Sequence, residues 1–179
     1  MNWASIFERV FTTNEGATEE QLRQWAGDWN RALSEEEIKL VHDQQRNPFP
    51  PTSSLYEQYQ PLDATHWSFP QKPLPDSYLD LLRWSTRGEY QTGERSFQFF
   101  SIDELREMNL VYEFPHYMPG ALSFAMDGGG YHYVFDMRQA PVNGEYPILL
   151  ADSGNLNYED ALHAADSLVE LCSHGEELV

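Results

Sequence analysis

Apolar residues recur at helical spacing over the first part of the chain, and the period changes to two from about Gly120 onward. Leu22, Trp25 and Trp29 fall three to four residues apart, as do Ile38 and Val41. Each set makes a stripe along one side of an α-helix, with charges elsewhere. Both stripes follow a start signal: "TEEQ" from Thr18 to Gln21 and "SEEE" from Ser34 to Glu37 have the capping-box form. In that form a hydroxyl takes an orphan amide of the first turn and the third residue on reaches back. Two helices are predicted, their tryptophans packed in a core. "RNPFPPTSS" from Arg46 to Ser54 breaks any helix, because proline has no amide proton and restrains the residue before it. It reads as a linker.

The next periodic stretch, "PLPDSYLDLLRWSTRG", puts Pro75 near a helix start, Asp76 in the first turn, and Leu74, Tyr78, Leu81 and Leu82 on one side, with Gly88 as the stop. "EYQTGERSFQFF" reads as a hairpin turning at Thr92-Gly93, and "SIDELREM" opens with a further capping box, Ser101 to Glu104. "ALSFAM", "YHYVFDM" and "YPILLAD" alternate with a period of two and predict three strands of a largely antiparallel sheet. A last helix is predicted from about Asn157, with Leu162, Ala165, Leu168, Val169 and Cys172 inward and Glu159, His163, Asp166 and Glu170 outward. The expected fold class is α+β: a central, mostly antiparallel sheet flanked by helices. Residues 1–60 would be an N-terminal helical extension packed on or linked to a domain of residues 61–179.

Composition narrows the function classes. With 179 residues, 41% of them apolar, the chain can bury roughly two thirds of its surface in one core. The charge is one-sided: 29 Asp and Glu against 11 Lys and Arg give −18. That excludes nucleic acid or an anionic membrane as the partner of a broad surface, since both need cationic patches. A basic protein is the expected partner. The imbalance is strongest at the end, where residues 139–179 hold eight acids and no Lys or Arg. "MNWASIFERV" lacks a signal-peptide pattern and no stretch has the apolar length to cross a bilayer, so a cytoplasmic location is expected. The single cysteine, Cys172, fits a reducing compartment.

"AMDGGGYHYVFDM", Ala125 to Met137, is the stretch with most candidate chemistry. A phosphate loop places glycines between a strand and a helix, whereas here a strand follows and no "GK[ST]" exists in the chain. Asp127, His132 and Asp136 are plausible metal ligands. On one strand, however, His132 and Asp136 would sit roughly 13 Å apart, and Asp127 with His132 makes only a pair unless His116 joins them. The reading is therefore a glycine-rich turn, with positive φ or close backbone approach at Gly129 and with His132 exposed or half-buried. Cys172 belongs to an inward stripe, where a thiol is inert, and no serine lies in a nucleophile-elbow pattern. No catalytic constellation, metal site or cofactor is expected.

The series "LPDSYLDLLRWSTRGE", "FFSIDEL", "MPGALSFAMDGGGYHYVFDM" and "LVEL" resembles the SUKH superfamily over about Leu74 to Leu171. That superfamily groups a fungal cell-wall-assembly regulator with many bacterial immunity proteins. Leu74-Pro75, Tyr78, Leu82, Gly88, Pro119-Gly120, Asp127, Gly129-Gly130 and Asp136 carry the likeness. The family's usual Asn-Gly pair after its leading helix is replaced here by "STRGE", and the first sixty residues lie outside the resemblance. The resemblance implies a non-enzymatic intracellular binding protein that neutralises a cognate toxin, often a nuclease, by direct contact. The acids Glu159, Asp166 and Glu170 would help capture it. The alternative is a regulatory scaffold or small-ligand module whose cleft is lined by Asp127, Gly129, Tyr131 and Asp136.

Overall fold

A seven-stranded antiparallel sheet organises the chain, each strand paired with the next in sequence. The computed structural model describes residues 1–178. The strands are β1 (Arg9–Thr13), β2 (Gly88–Thr92), β3 (Arg95–Phe99), β4 (Ala121–Met126), β5 (Tyr131–Asp136), β6 (Ile148–Asp152) and β7 (Leu162–Ala165). The helices are α1 (Glu19–Asp28), α2 (Glu35–Gln44), α3 (Asp76–Trp84), α4 (Leu105–Val111), α5 (Phe114–Tyr117) and α6 (Leu168–Ser173). The class is α+β, as expected.

Local chemistry fixed most of the helix starts. Thr18 and Ser34 cap α1 and α2 in full capping boxes with Gln21 and Glu37. Ser101 and Glu104 exchange the same pair of bonds, each 3.2 Å, but a turn intervenes before α4 begins at Leu105. Pro75 caps α3, whose Tyr78, Leu81 and Leu82 are buried. The helix ends at Trp84, and Gly88 opens β2 instead of stopping α3. A Cβ on Gly88 would stand 2.0 Å from the Tyr90 hydroxyl, so close approach, not a helix stop, calls for glycine there.

Two readings are corrected. The N-terminal third is not helical throughout, because β1 lies on the sheet edge beside β2. Its five residues are all exposed, so no alternation of burial marked it in the sequence. Nor does a helix start near Asn157. Residues 155–160 form a turn closed by side chains: Asn157 Oδ1 accepts from Asp160 N at 2.8 Å, and the Asn155 and Asn157 amides donate to Asp160 Oδ2. β7 follows, pairing Leu162 with Leu150 and Ala165 with Ile148. Only then does Ser167 cap α6. The apolar spacing that suggested one long helix runs across this strand-to-helix junction.

Period-two alternation in β4–β6 supplies two apolar faces. Leu122, Phe124, Phe135, Ile148 and Leu150 belong to the main core with α3 and α6, and Trp3, Phe7, Trp29 and Val41 join it from the first part of the chain. Phe7 sits among aromatic rings, 4.4 Å from Tyr90. Ala121, Val134 and Ala151 form a second cluster with Phe114, Met118 and Leu156. β3 pairs with β4 only at Gln98–Met126 and Phe99–Ala125, and buried Asn109 of α4 completes the ladder beyond. Its amide donates to Ser123 O at 2.7 Å and its carbonyl accepts from Ser123 N at 2.9 Å.

Candidate functional site

The three glycines make a turn organised by Asp127. Its Oδ1 accepts from the amides of Gly129, Gly130 and Tyr131 at 2.7, 3.0 and 2.9 Å, and Ser153, just past the end of β6, clamps the Gly130 carbonyl with its amide and its hydroxyl. Positive φ falls on Gly128 (+81°) and Gly130 (+114°). The expectation at Gly129 was positive φ or close approach, and of the two it is close approach that the structure shows. What Gly129 avoids is a contact, since a Cβ there would meet Asp127 Oδ2 at 3.0 Å. Asp127 is thus occupied in holding backbone.

Tyr131 stands at this end of β5, whereas Asp136 stands at the other, opposite Ala121. Asp136 forms a fork with Arg138, at 2.8 and 2.7 Å, and that guanidinium lies 3.6 Å over the Tyr158 ring. Burial raises the Asp136 carboxyl, but the Arg138 bonds outweigh it and hold the pKa below the usual carboxylate value. The four residues assigned to one cleft therefore do not line one. Asp127 borders a recess of about 120 Å³ beside Arg95, Tyr133 and Leu150, and Asp136 is not part of it.

His132 is buried completely, which corrects its placement on an exposed or half-buried face. Its Nδ1 meets Ser123 Oγ at 2.8 Å. Which of the two donates in this bond is set by the ring's tautomer. Nε2 has no hydrogen-bond partner, and the Tyr112 ring stands edge-on 4.3 Å away. Burial lowers the His132 pKa to about 4. His116 stacks on Trp67, and among the described residues His116, Asp127 and His132 do not gather into a metal-binding group. Burial pushes the Cys172 thiol far up, as expected of an inert thiol.

Of the acids expected to form one helix stripe, the structure brings together two. Glu170 Oε2 accepts from Asp166 N at 2.8 Å at the start of α6, while Glu159 stands in the turn before β7. All three are exposed.

The charge distribution is sharper than the net figure. Arg23, Arg31, Lys39, Arg83, Arg87, Arg106 and Arg138 each pair with a carboxylate. Arg46, Lys72 and Arg95 end on backbone carbonyls. Among the described residues only Arg9 has neither kind of partner. Among the described residues the acids from Glu145 onward pair with no Lys or Arg, and Asp166 Oδ1 meets His163 Nε2 at 2.8 Å.

Sequence reading missed the junction of α2 with α4. Arg106 forks onto Glu37 at 2.7 and 2.8 Å and also donates to Trp29 O at 2.6 Å, and Arg31 reaches the same carboxylate at 2.9 Å. "SEEE" announced Glu37 as a capping residue, but nothing local announces a partner 69 residues away. Burial raises the Glu37 carboxyl, and the bonds from Arg106, Arg31 and the Ser34 amide overcome that to bring it to about 2.

With this geometry in place, the comparison with known families is specific. The model of the SMI1 / KNR4 family (SUKH-1) matches residues 62–174, a span wider at both ends than the motifs that carried the resemblance. No curated protein matches the chain.

Proposed function

The chain belongs to the SMI1 / KNR4 family (SUKH-1), and from that premise we propose that it is an intracellular immunity protein that neutralises a basic toxin domain by covering it. The family groups toxin-immunity proteins with regulators that act by binding. The family match covers residues 62–174, and the segment before it adds β1 to the sheet and Trp3, Phe7 and Trp29 to the main core. The observation that carries the reading is the charge distribution: among the described residues every Lys and Arg but Arg9 is engaged within the chain, while Asp152, Glu159, Asp160, Asp166 and Glu170 are exposed and have no Lys or Arg partner. A nuclease site is cationic because it holds phosphates, so such a surface attracts it at long range and competes with its substrate. Among the described residues no helix is long and apolar enough to cross a membrane.

The test is co-expression with a candidate toxin domain, sought first in the reading frame next to this chain's own. Restored growth together with a complex that survives purification is the expected result. A toxin domain that is neither bound nor neutralised would overturn the proposal. The small-ligand alternative drew on a shared cleft for Asp127, Gly129, Tyr131 and Asp136, and the opposite positions of Asp127 and Asp136 along β5 remove that support.

A further inference from the structure

Between β5 and β6 the chain makes a two-residue hairpin centred on Asn143-Gly144. Val142 and Glu145 exchange both backbone bonds, at 2.9 and 3.0 Å. Asn143 and Gly144 lie at φ +53° and +81°, the left-handed pair that a type I′ turn requires. The hairpin is tied to the start of α3: Asp76 N donates to Gly144 O at 3.2 Å, and Ser77 gives its amide and hydroxyl to the two Glu145 oxygens at 2.9 and 2.6 Å. Next to it Tyr146 is buried and donates its hydroxyl to Pro73 O at 3.0 Å.

A turn fixed at so many points cannot fold its apolar side chain back onto the protein, and Val142 remains 71% exposed. A lone exposed valine needs no explanation. This one, however, borders a groove of about 450 Å³ that Pro147 also lines and that Asp166 and Ser167 bound. Asp166 Oδ1 meets His163 Nε2 at 2.8 Å, while Oδ2 has no partner among the described residues. Glu145 contributes a second negative charge at the rim, and residues 139–179 contain no Lys or Arg to offset either.

We propose that this groove seats a lysine or arginine side chain of a basic partner protein, with the aliphatic stem against Val142 and Pro147 and the cation on Asp166. Those two side chains combine a long apolar stem with a charged end, which is the combination the groove offers in mirror image. An acidic side chain is repelled, and a purely apolar one strips water from Asp166 without replacing it. The rigid hairpin means that little order has to be imposed on binding. This inference rests on the reading of the partner as a basic protein and adds where that partner is gripped.

The experiment uses the full chain, isotopically labelled, titrated by NMR with the blocked peptide Gly-Ala-Lys-Ala-Gly and with the same peptide carrying norleucine in place of lysine. Saturable shifts are expected at the amides of residues 142–145, 166 and 167 with the lysine peptide, and at least threefold weaker binding with norleucine. Asp166→Asn and Val142→Ser should each weaken the lysine peptide at least threefold while melting with the parent. Shifts spread equally over the acids of α1 and α2, or variants that bind like the parent, would overturn the proposal. So would shifts at the same amides that grow with protein concentration alone, which assign the groove to a second copy of the chain. Failure here is separable from failure of the functional reading: a toxin domain neutralised equally by the parent and both variants removes the groove and leaves the immunity role standing.

Discussion

Glu37 is the side chain whose removal should cost most for its size. It caps α2, receives the Arg106 fork from α4, and receives Arg31 from the α1–α2 connection. Its side chain is 17% exposed and that of Arg106 12%, so solvent screens the contact only weakly. With the carboxyl at about 2 against an ordinary 4.5, the ionised form contributes about 3 kcal/mol, because each unit is worth about 1.4 kcal/mol. The sign follows from a folded-state pKa below the unfolded one. The contribution is fully present above pH 4.5, falls to about 1 kcal/mol at pH 3, and is lost below 2. Glu37→Gln removes it and leaves the Arg106 charge half-buried without its partner. Urea unfolding at pH 7 should therefore show Glu37→Gln less stable by about 3 kcal/mol. Repeated at pH 3, the gap between the proteins should shrink by more than half. A gap under about 0.5 kcal/mol at pH 7, or one that is the same at both pH values, would refute the reasoning.

In the glycine turn, Gly128→Ala and Gly130→Ala should each cost about 1–2 kcal/mol, because φ is +81° and +114° there. Gly129→Ala should cost less, so thermal melting that ranks Gly129 first would contradict the assignment. His132, with its pKa lowered to about 4 by burial, should make the protein lose about 3 kcal/mol as pH falls from 6.5 to 4, since the unfolded chain takes up the proton first. His132→Gln should flatten that part of the stability profile by one proton, and an unchanged slope would show that another group is responsible. Replacing Glu159, Asp166 and Glu170 together by their amides should slow association with the cognate toxin about ten-fold at low salt, and less as salt approaches physiological strength. Equal rates for parent and variant in stopped flow would remove these acids from the capture surface.

Functional legibility followed chain distance. The family was readable from Leu74 to Leu171, since its motifs lie in order on contiguous segments, and the turn at Asp127 was recognisable by its glycines. What each residue does within that turn was not: the φ values depend on how β4 and β5 meet, and Asp127 proves to be a backbone acceptor instead of a ligand in waiting. The groove beside Val142 was silent in sequence, because its walls come from the β5–β6 hairpin and from the start of α6.

By itself the sequence determined the caps of α1 and α2, the buried stripe of α3, the β2–β3 hairpin and the alternation of β4 to β6. In each case the deciding bonds or contacts repeat within a few residues, so local composition suffices to specify them. Tertiary structure alone decided that Leu162 to Ala165 extend along β6 instead of coiling, because a short apolar spacing fits a strand-to-helix junction as well as a helix, and β6 offered an open ladder. It also decided that β1 covers the edge of β2, that His132 is sealed among rings, and that Arg106 finds Glu37. Those outcomes depend on which groups a distant segment brings within hydrogen-bonding reach, and no periodicity along the chain encodes that.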